Sequence, residues 1–177
     1  MSQTVYQIDS AHSSAQFSIR HLMISNVRGE FTKLAGTITY DPAQPTNSAL
    51  EASVDVSSVN TRDAQRDTHL KSADFFDVEK YPTIAFRGKQ IAGGDGEWKV
   101  KGDLTMHGVT REVTLDVEGP TPETKDPWGK MRIGATAHTK VNRKDFGLVW
   151  NVALEAGGVM VGEEVKITLD IEAVRQD

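Results

Sequence analysis

Cysteine is absent from the 177 residues. Disulfides, thiolate metal centres and a cysteine nucleophile are therefore excluded, and the redox compartment stays undecided. Also missing is any stretch near the roughly 20 apolar residues that a membrane-spanning helix needs. Basic residues form no cluster: 20 Lys and Arg are mixed with 25 Asp and Glu, for a net charge of −5. That balance argues against a general binder of nucleic acid or anionic membranes. The opening MSQTVYQIDS lacks the basic-then-apolar order of a secretory leader. A cytoplasmic location is expected, or a periplasmic one if a leader was removed. There is no Gly-x-Ser-x-Gly elbow, GxxxxGKS/T loop or GxGxxG turn, so nucleophilic and nucleotide chemistry find no support.

What is present is alternation of period two. Phe17, Ile19 and His21 alternate with Ser18 and Arg20, and Val54 and Val56 with Ser53, Asp55 and Ser57. Ile84 and Phe86 form another row, as do Val100, Leu104 and Met106, and Val113, Leu115 and Val117. Ile133, Ala135 and Ala137 continue the pattern, and Val165, Ile167, Leu169 and Ile171 show it most clearly. With a strand around Phe31 to Tyr40, these rows predict an all-β domain of about eight antiparallel strands over residues 1–177. Turn chemistry separates them at Asp41-Pro42, Gly93-Gly94-Asp95-Gly96, His107-Gly108 and Gly119-Pro120. A closed barrel is the economical arrangement, and eight strands leave room for one small ligand. Alternation alone leaves a two-sheet sandwich open.

One segment departs from this pattern. Residues 60–73 read as helix, with Asn60 as the cap and Asp63 in the first turn. Arg62, Arg66 and His69 are spaced by four and three and share a face, while Asp63 and Asp67 have Arg66 and Lys71 as helix-surface partners. Pro82 forces an extended chain at Tyr81. The run RKDFGLVWN is expected to form a short helix or loop near 142–148, with Phe146 and Trp150 either plugging one end of the barrel or lining its entrance.

The five histidines show no HxH or HExxH spacing, so no metal site is expected. His21 and His138 are the pair a barrel would be able to bring together. His21 continues an apolar row and reads either as a satisfied core ring or as a head-group ligand. Arg66 and His69 read either as a solvated helix face or as a polar clamp for a phosphate, quinone or carboxyl group. Phe75 and Phe76 suit helix-to-barrel packing and also the wall of an acyl or isoprenoid site.

Five motifs occur in order: Asp9-Ser10-Ala11-His12-Ser13; Arg66-Asp67-Thr68-His69-Leu70 before Phe75-Phe76-Asp77; Tyr81-Pro82-Thr83-Ile84; Leu104-Thr105-Met106-His107-Gly108; and Arg143-Lys144-Asp145-Phe146-Gly147-Leu148 ahead of Leu154-Glu155-Ala156-Gly157-Gly158. Together they make the sequence resemble the YceI-like family of lipid-binding proteins over nearly its whole length. The resemblance implies a lipocalin-like barrel with a tunnel for a long amphiphile: a polyisoprenoid, a quinone, or a fatty acid or amide. It also implies no established catalytic cycle, and it leaves a homodimer open. Many members carry a secretory leader.

The leading expectation is a lipid carrier without a cofactor, its tunnel walled by Phe17, Ile19, Val54, Val56, Phe86, Leu104, Met106, Val113 and Leu115. Arg66, His69 and His21 are the head-group candidates. The rival is a barrel isomerase, cyclase or hydrolase acting on an apolar substrate, which needs a polar cluster deep in the tunnel. A filled barrel that serves protein interaction is the third alternative.

Overall fold

The computed structural model describes residues 3–155 and 157–177. Of the first three expected strands, the row Phe17–His21 is continuous and the other two are each broken once. β1 (Thr4–Ile8) and β2 (Ser14–His21) flank a 3-10 turn at Ser10–His12, where the Asp9 carboxylate accepts from the Ala11 N–H at 3.0 Å. β3 (Ser25–Phe31) and β4 (Leu34–Tyr40) are divided at Thr32 and Lys33. β5 (Ala49–Asp55) and β6 (Val59–Asn60) flank a 3-10 turn at Val56–Ser58. Asp55 fixes that turn by accepting from the Ser57 N–H at 3.0 Å. Val56 therefore lies in the turn, outside the alternating row in which the sequence placed it.

After α1 (Ala64–Lys71) come β7 (Thr83–Gly94), β8 (Glu97–Met106), β9 (Val109–Glu118), the short β10 (Thr124–Lys125), β11 (Met131–Asn142) and β12 (Val161–Arg175). β1, β4, β5, β7, β8, β9, β11 and β12 pair in that order, and β12 returns to β1. Eight antiparallel strands thus close into a barrel, which settles the choice against a sandwich. β12 runs along both β1 and β2: Tyr6 pairs with Arg175, and Val161 with His21. Its other side is taken by β11, from Glu164 to Val174.

Closure is incomplete at one end. β5 pairs with β7 as far as Asp55 and Thr83, and β6 pairs only with β3. The chain from Thr61 to Pro82, including α1, covers the resulting gap. The helix is shorter than the 60–73 expected. Its cap is Asp63, whose carboxylate accepts from the Arg66 N–H at 3.0 Å. Asn60 instead accepts from the Arg62 N–H at 2.9 Å, a local turn that competes with helix, and Arg62 sits at φ 65° ahead of α1. Arg62 consequently leaves the face shared by Arg66 and His69. Asp67 bonds the buried Thr61, at 2.8 Å to its N–H and 2.6 Å to its Oγ1, in place of the expected Lys71 pair. A buried threonine needs partners more than an exposed lysine does.

The expected element near 142–148 is a 3-10 turn at Arg143–Phe146. The Asn142 side chain accepts from the Lys144 N–H at 2.9 Å, and Gly147 at φ 76° reverses the chain out of it. Three apolar clusters fill the barrel walls, one around Phe86, Leu104, Leu115 and Phe146, one around Phe31, Leu34, Val54 and Val56, and a smaller one of Tyr6, Ile133 and Ala173. Among the described residues no helix is long and apolar enough to cross a membrane.

Candidate functional site

A cavity of about 260 Å³ lies in the half of the barrel that α1 covers. Its strand walls carry most of the rows read from the sequence: Phe17, Ile19 and His21 of β2, Val54 of β5, Phe86 of β7, Leu104 and Met106 of β8, and Val113 and Leu115 of β9. Arg66, His69, Phe75 and Trp150 line it from the covering segments. Two expected residues are not in the lining. Val56 is 1% exposed and is packed behind the wall with Phe31, Leu34 and Val59. Phe146, also 1% exposed, belongs to the core with Leu104 and Leu148. The two alternatives for RKDFGLVWN are thus divided: Phe146 plugs, and Trp150 lines.

Aromatic rings define the mouth. His69, Phe75 and Trp150 form a three-ring cluster, with His69 edge-on to Phe75 at 5.0 Å and Phe75 tilted against Trp150 at 5.2 Å. Phe76, which also lines the cavity, meets Phe31 at 5.8 Å, and Phe31 in turn meets Phe17 at 5.6 Å. Phe75 therefore ties the covering segment to the loop at Trp150, and Phe76 ties it to β3 through Phe31. Outside the mouth, the β2–β3 turn exposes Leu22, Met23 and Ile24, and the 148–161 loop exposes Val149 and Val152.

Ionisable side chains in the lining are all of basic residues: Arg20, His21, Arg66, His69 and Arg143. Several have their polar atoms engaged elsewhere. Arg66 donates through Nε to Thr61 Oγ1 at 2.8 Å and through Nη2 to the Thr61 carbonyl at 2.7 Å. His69 Nε2 is 2.9 Å from an Asp74 carboxylate oxygen. Arg143 is 3% exposed and donates to the carbonyls of Gly162, Leu148 and Trp150 at 2.7, 2.8 and 2.9 Å, and to Val161 at 3.3 Å. Burial lowers its pKa below the ordinary guanidinium value. What faces the cavity is mostly carbon, which suits an apolar chain.

Sequence reasoning missed Arg143 as a site residue. Its partners are main-chain carbonyls from a loop and a distant strand, which leave no trace in residue types. It also missed Ala52 of β5 and Val165, Ile167 and Leu169 of β12 as lining residues. The β12 row was visible as alternation and was not carried into the site. His138 does not meet His21: it is exposed on β11, 3.3 Å from Thr168 Oγ1 on the neighbouring strand. His107 is also structural, with Nδ1 3.1 Å from the Phe146 carbonyl.

A separate polar group lies outside this cavity. Arg132 Nη1 donates to Asp9 at 2.7 Å and to Glu172 at 2.9 Å, and its Nε to Asp126 at 2.7 Å. The Arg132 guanidinium, followed by His12, lowers the Asp9 carboxyl to about 2. His12, Asp9 and Glu172 come close together there, but the guanidinium already neutralises the carboxylates.

A closed eight-stranded barrel with an apolar cavity and a helical cover is the frame in which the sequence likeness can be placed. The model of the YceI-like domain matches residues 6–173. The chain belongs to the YceI-like family. A UPF0312 protein of Vibrio cholerae is 40% identical over 146 residues, covering 81% of this chain and 77% of the relative. Among solved structures, Burkholderia cenocepacia BcnA superposes with a TM-score of 0.80 at 22% identity, over 93% of this chain and 98% of that one. A polyisoprenoid binding domain from Saccharophagus degradans gives a TM-score of 0.71 at 17% identity, covering 97% and 98%. At those identities the two structures speak for the YceI-like fold alone.

Proposed function

We propose that the protein binds the hydrocarbon chain of an amphiphilic lipid inside the barrel, for transport, storage or protection, and performs no chemistry on it. The lipid class is a polyisoprenoid, an isoprenoid quinone, or a fatty acid or amide. The observation that carries the reading is the cavity, walled by inward apolar rows and with Arg66, His69 and Arg143 bonded to neighbouring groups. Each CH₂ moved from water into such a site is worth about 0.8 kcal/mol, so a long chain needs little polar recognition. Membership of a binding-protein family and the likeness to a polyisoprenoid binding domain support the same reading. Arg66, His69 and His21, at the mouth, are proposed to meet the head group. The proposal also admits a homodimer.

Solvent extraction of the purified protein followed by mass spectrometry tests the reading. A long-chain lipid near one per protein is the expected result. Repeated absence of lipid from protein made in several hosts, with no uptake of added lipid, would overturn it.

A further inference from the structure

A second cavity of about 120 Å³ lies in the opposite half, between residues such as Ile8, Ile38, Val100 and Ile133. Four residues line both cavities: Ala52, Phe86, Leu115 and Leu169. They come from β5, β7, β9 and β12, strands spread around the ring, and so form a waist across the barrel. Phe86 is the largest of the four and only 8% exposed. It pairs directly with Ala52 across β5 and β7, so the ring stands beside the smallest side chain of the waist. Its tip rests over Gly102 of β8, where an added Cβ would come 2.6 Å from Phe86 Cζ.

Space on the far side of the waist is suited to hydrocarbon. Trp98 Nε1 donates to the Gly119 carbonyl at 2.7 Å, Thr136 Oγ1 to Asp170 at 3.2 Å, and Ser48 Oγ accepts from the Asp41 N–H at 2.9 Å. These lining residues keep their polar atoms for neighbours. An apolar cavity of roughly 150 Å³ stays dry and accepts a small apolar ligand. Entry from the mouth side must cross the waist, and of its four side chains the Phe86 ring has the most to move. A phenylalanine χ1 has discrete staggered positions, so passage is set by which one the ring adopts.

We propose that the barrel holds two chambers in series and that Phe86 is the specificity-determining gate between them, setting the length of hydrocarbon chain the protein accepts. This rests on the lipid-binding reading above. A chain that ends at the waist uses the first chamber only. A longer chain gains further affinity only if the ring turns aside.

The test is a chain-length series of unbranched fatty acids from C10 to C22, added to full-length protein stripped of lipid, with affinity read by displacement of a fluorescent fatty acid. In the wild type, affinity should improve about fourfold per methylene up to a limiting length and then level off. Phe86→Ala should move that limit to longer chains. Phe86→Leu is the gentler version if alanine unfolds the barrel, and Ala52→Leu, which fills the waist, should move the limit to shorter chains. Gly102 is unsuitable as a probe, because a Cβ there also falls 2.3 Å from the Arg87 carbonyl oxygen. An unmoved limit in folded Phe86→Leu and Ala52→Leu would overturn the gate and leave lipid binding standing. Absence of saturable binding by every fatty acid in the wild type would overturn the gate as a selector of chain length, and the solvent extraction described above then decides whether lipid binding itself stands.

Discussion

The His69 imidazole stands edge-on to the Trp150 indole, with ring centroids 4.8 Å apart and planes at 87°. This contact joins α1, which fills the gap between β6 and β7, to the loop that follows the Arg143 turn. The two covering segments are distant in sequence, and they meet over the cavity at this pair and at the Phe75–Trp150 contact.

Trp150→Ala separates the segments. An edge-to-face aromatic pair is worth about 0.5–1.5 kcal/mol beyond its burial. Release of a bound fluorescent lipid should therefore quicken by roughly 2- to 12-fold, with little change in the melting temperature. Stopped-flow dissociation measures it, and an unchanged off-rate would show that the mouth is not closed by this pair.

Arg143→Ala should be a stability variant. It strands the carbonyls of Gly162, Leu148 and Trp150, while the Val161 carbonyl keeps the Asn151 Nδ2 donor at 2.7 Å. Leaving buried polar groups unpaired costs about 1–3 kcal/mol each, less where the loop can relax toward water. A loss of about 3 kcal/mol corresponds to a Tm lower by roughly 6–12 °C in a chain of this size. Lysine should restore only part of it, since an ammonium has three donors and no fork. Calorimetry on the three proteins decides the matter.

Arg66→Ala combined with His69→Ala addresses the head group. The pair should weaken binding of a carboxylate or phenol-headed lipid by about tenfold, equivalent to about 1.4 kcal/mol, while circular dichroism stays unchanged. The Thr61–Asp67 bonds remain in the variant and keep α1 anchored. Equal affinity in wild type and variant would remove both residues from the site.

Acid stability reports on the opposite polar cluster. The Asp9 carboxyl is lowered from 3.8 to about 2, first by Arg132 and then by His12. A depressed carboxyl stabilises the fold fully above its unfolded value, and that contribution is lost as pH falls toward the folded one. Stability should thus decline between about pH 4 and 2 in the wild type and decline less steeply in Asp9→Asn. Urea midpoints across that range provide the comparison.

Much of this architecture can be read from residue types because alternation is a local signal. The β12 row Val165, Ile167, Leu169 and Ile171 needs no partner to be recognised, and the five motifs place the chain in its family. Places where a side chain bonds its own backbone were harder. Asp55 bends the chain at Ser57 and takes Val56 out of its row. Asn60 and Asp63 are both good helix caps, and only the demand of buried Thr61 for Asp67 places the helix after the second. Arg143 and the waist at Phe86 depend on residues brought together from distant strands, and no spacing in the sequence encodes them.

The double pairing of β12 has a bearing on how the chain acquires its shape during synthesis. The ring closes only when Arg175 finds Tyr6 and Val161 finds His21, partners separated by most of the polypeptide. Until that strand has left the ribosome, β11 and the β1–β2 pair are open edges with unpaired main-chain groups, a template for joining other chains. Contacts of such long sequence separation form slowly. The nascent sheet is therefore the aggregation-prone species, and a chain truncated before Val161 is expected to be held by chaperones in place of folding.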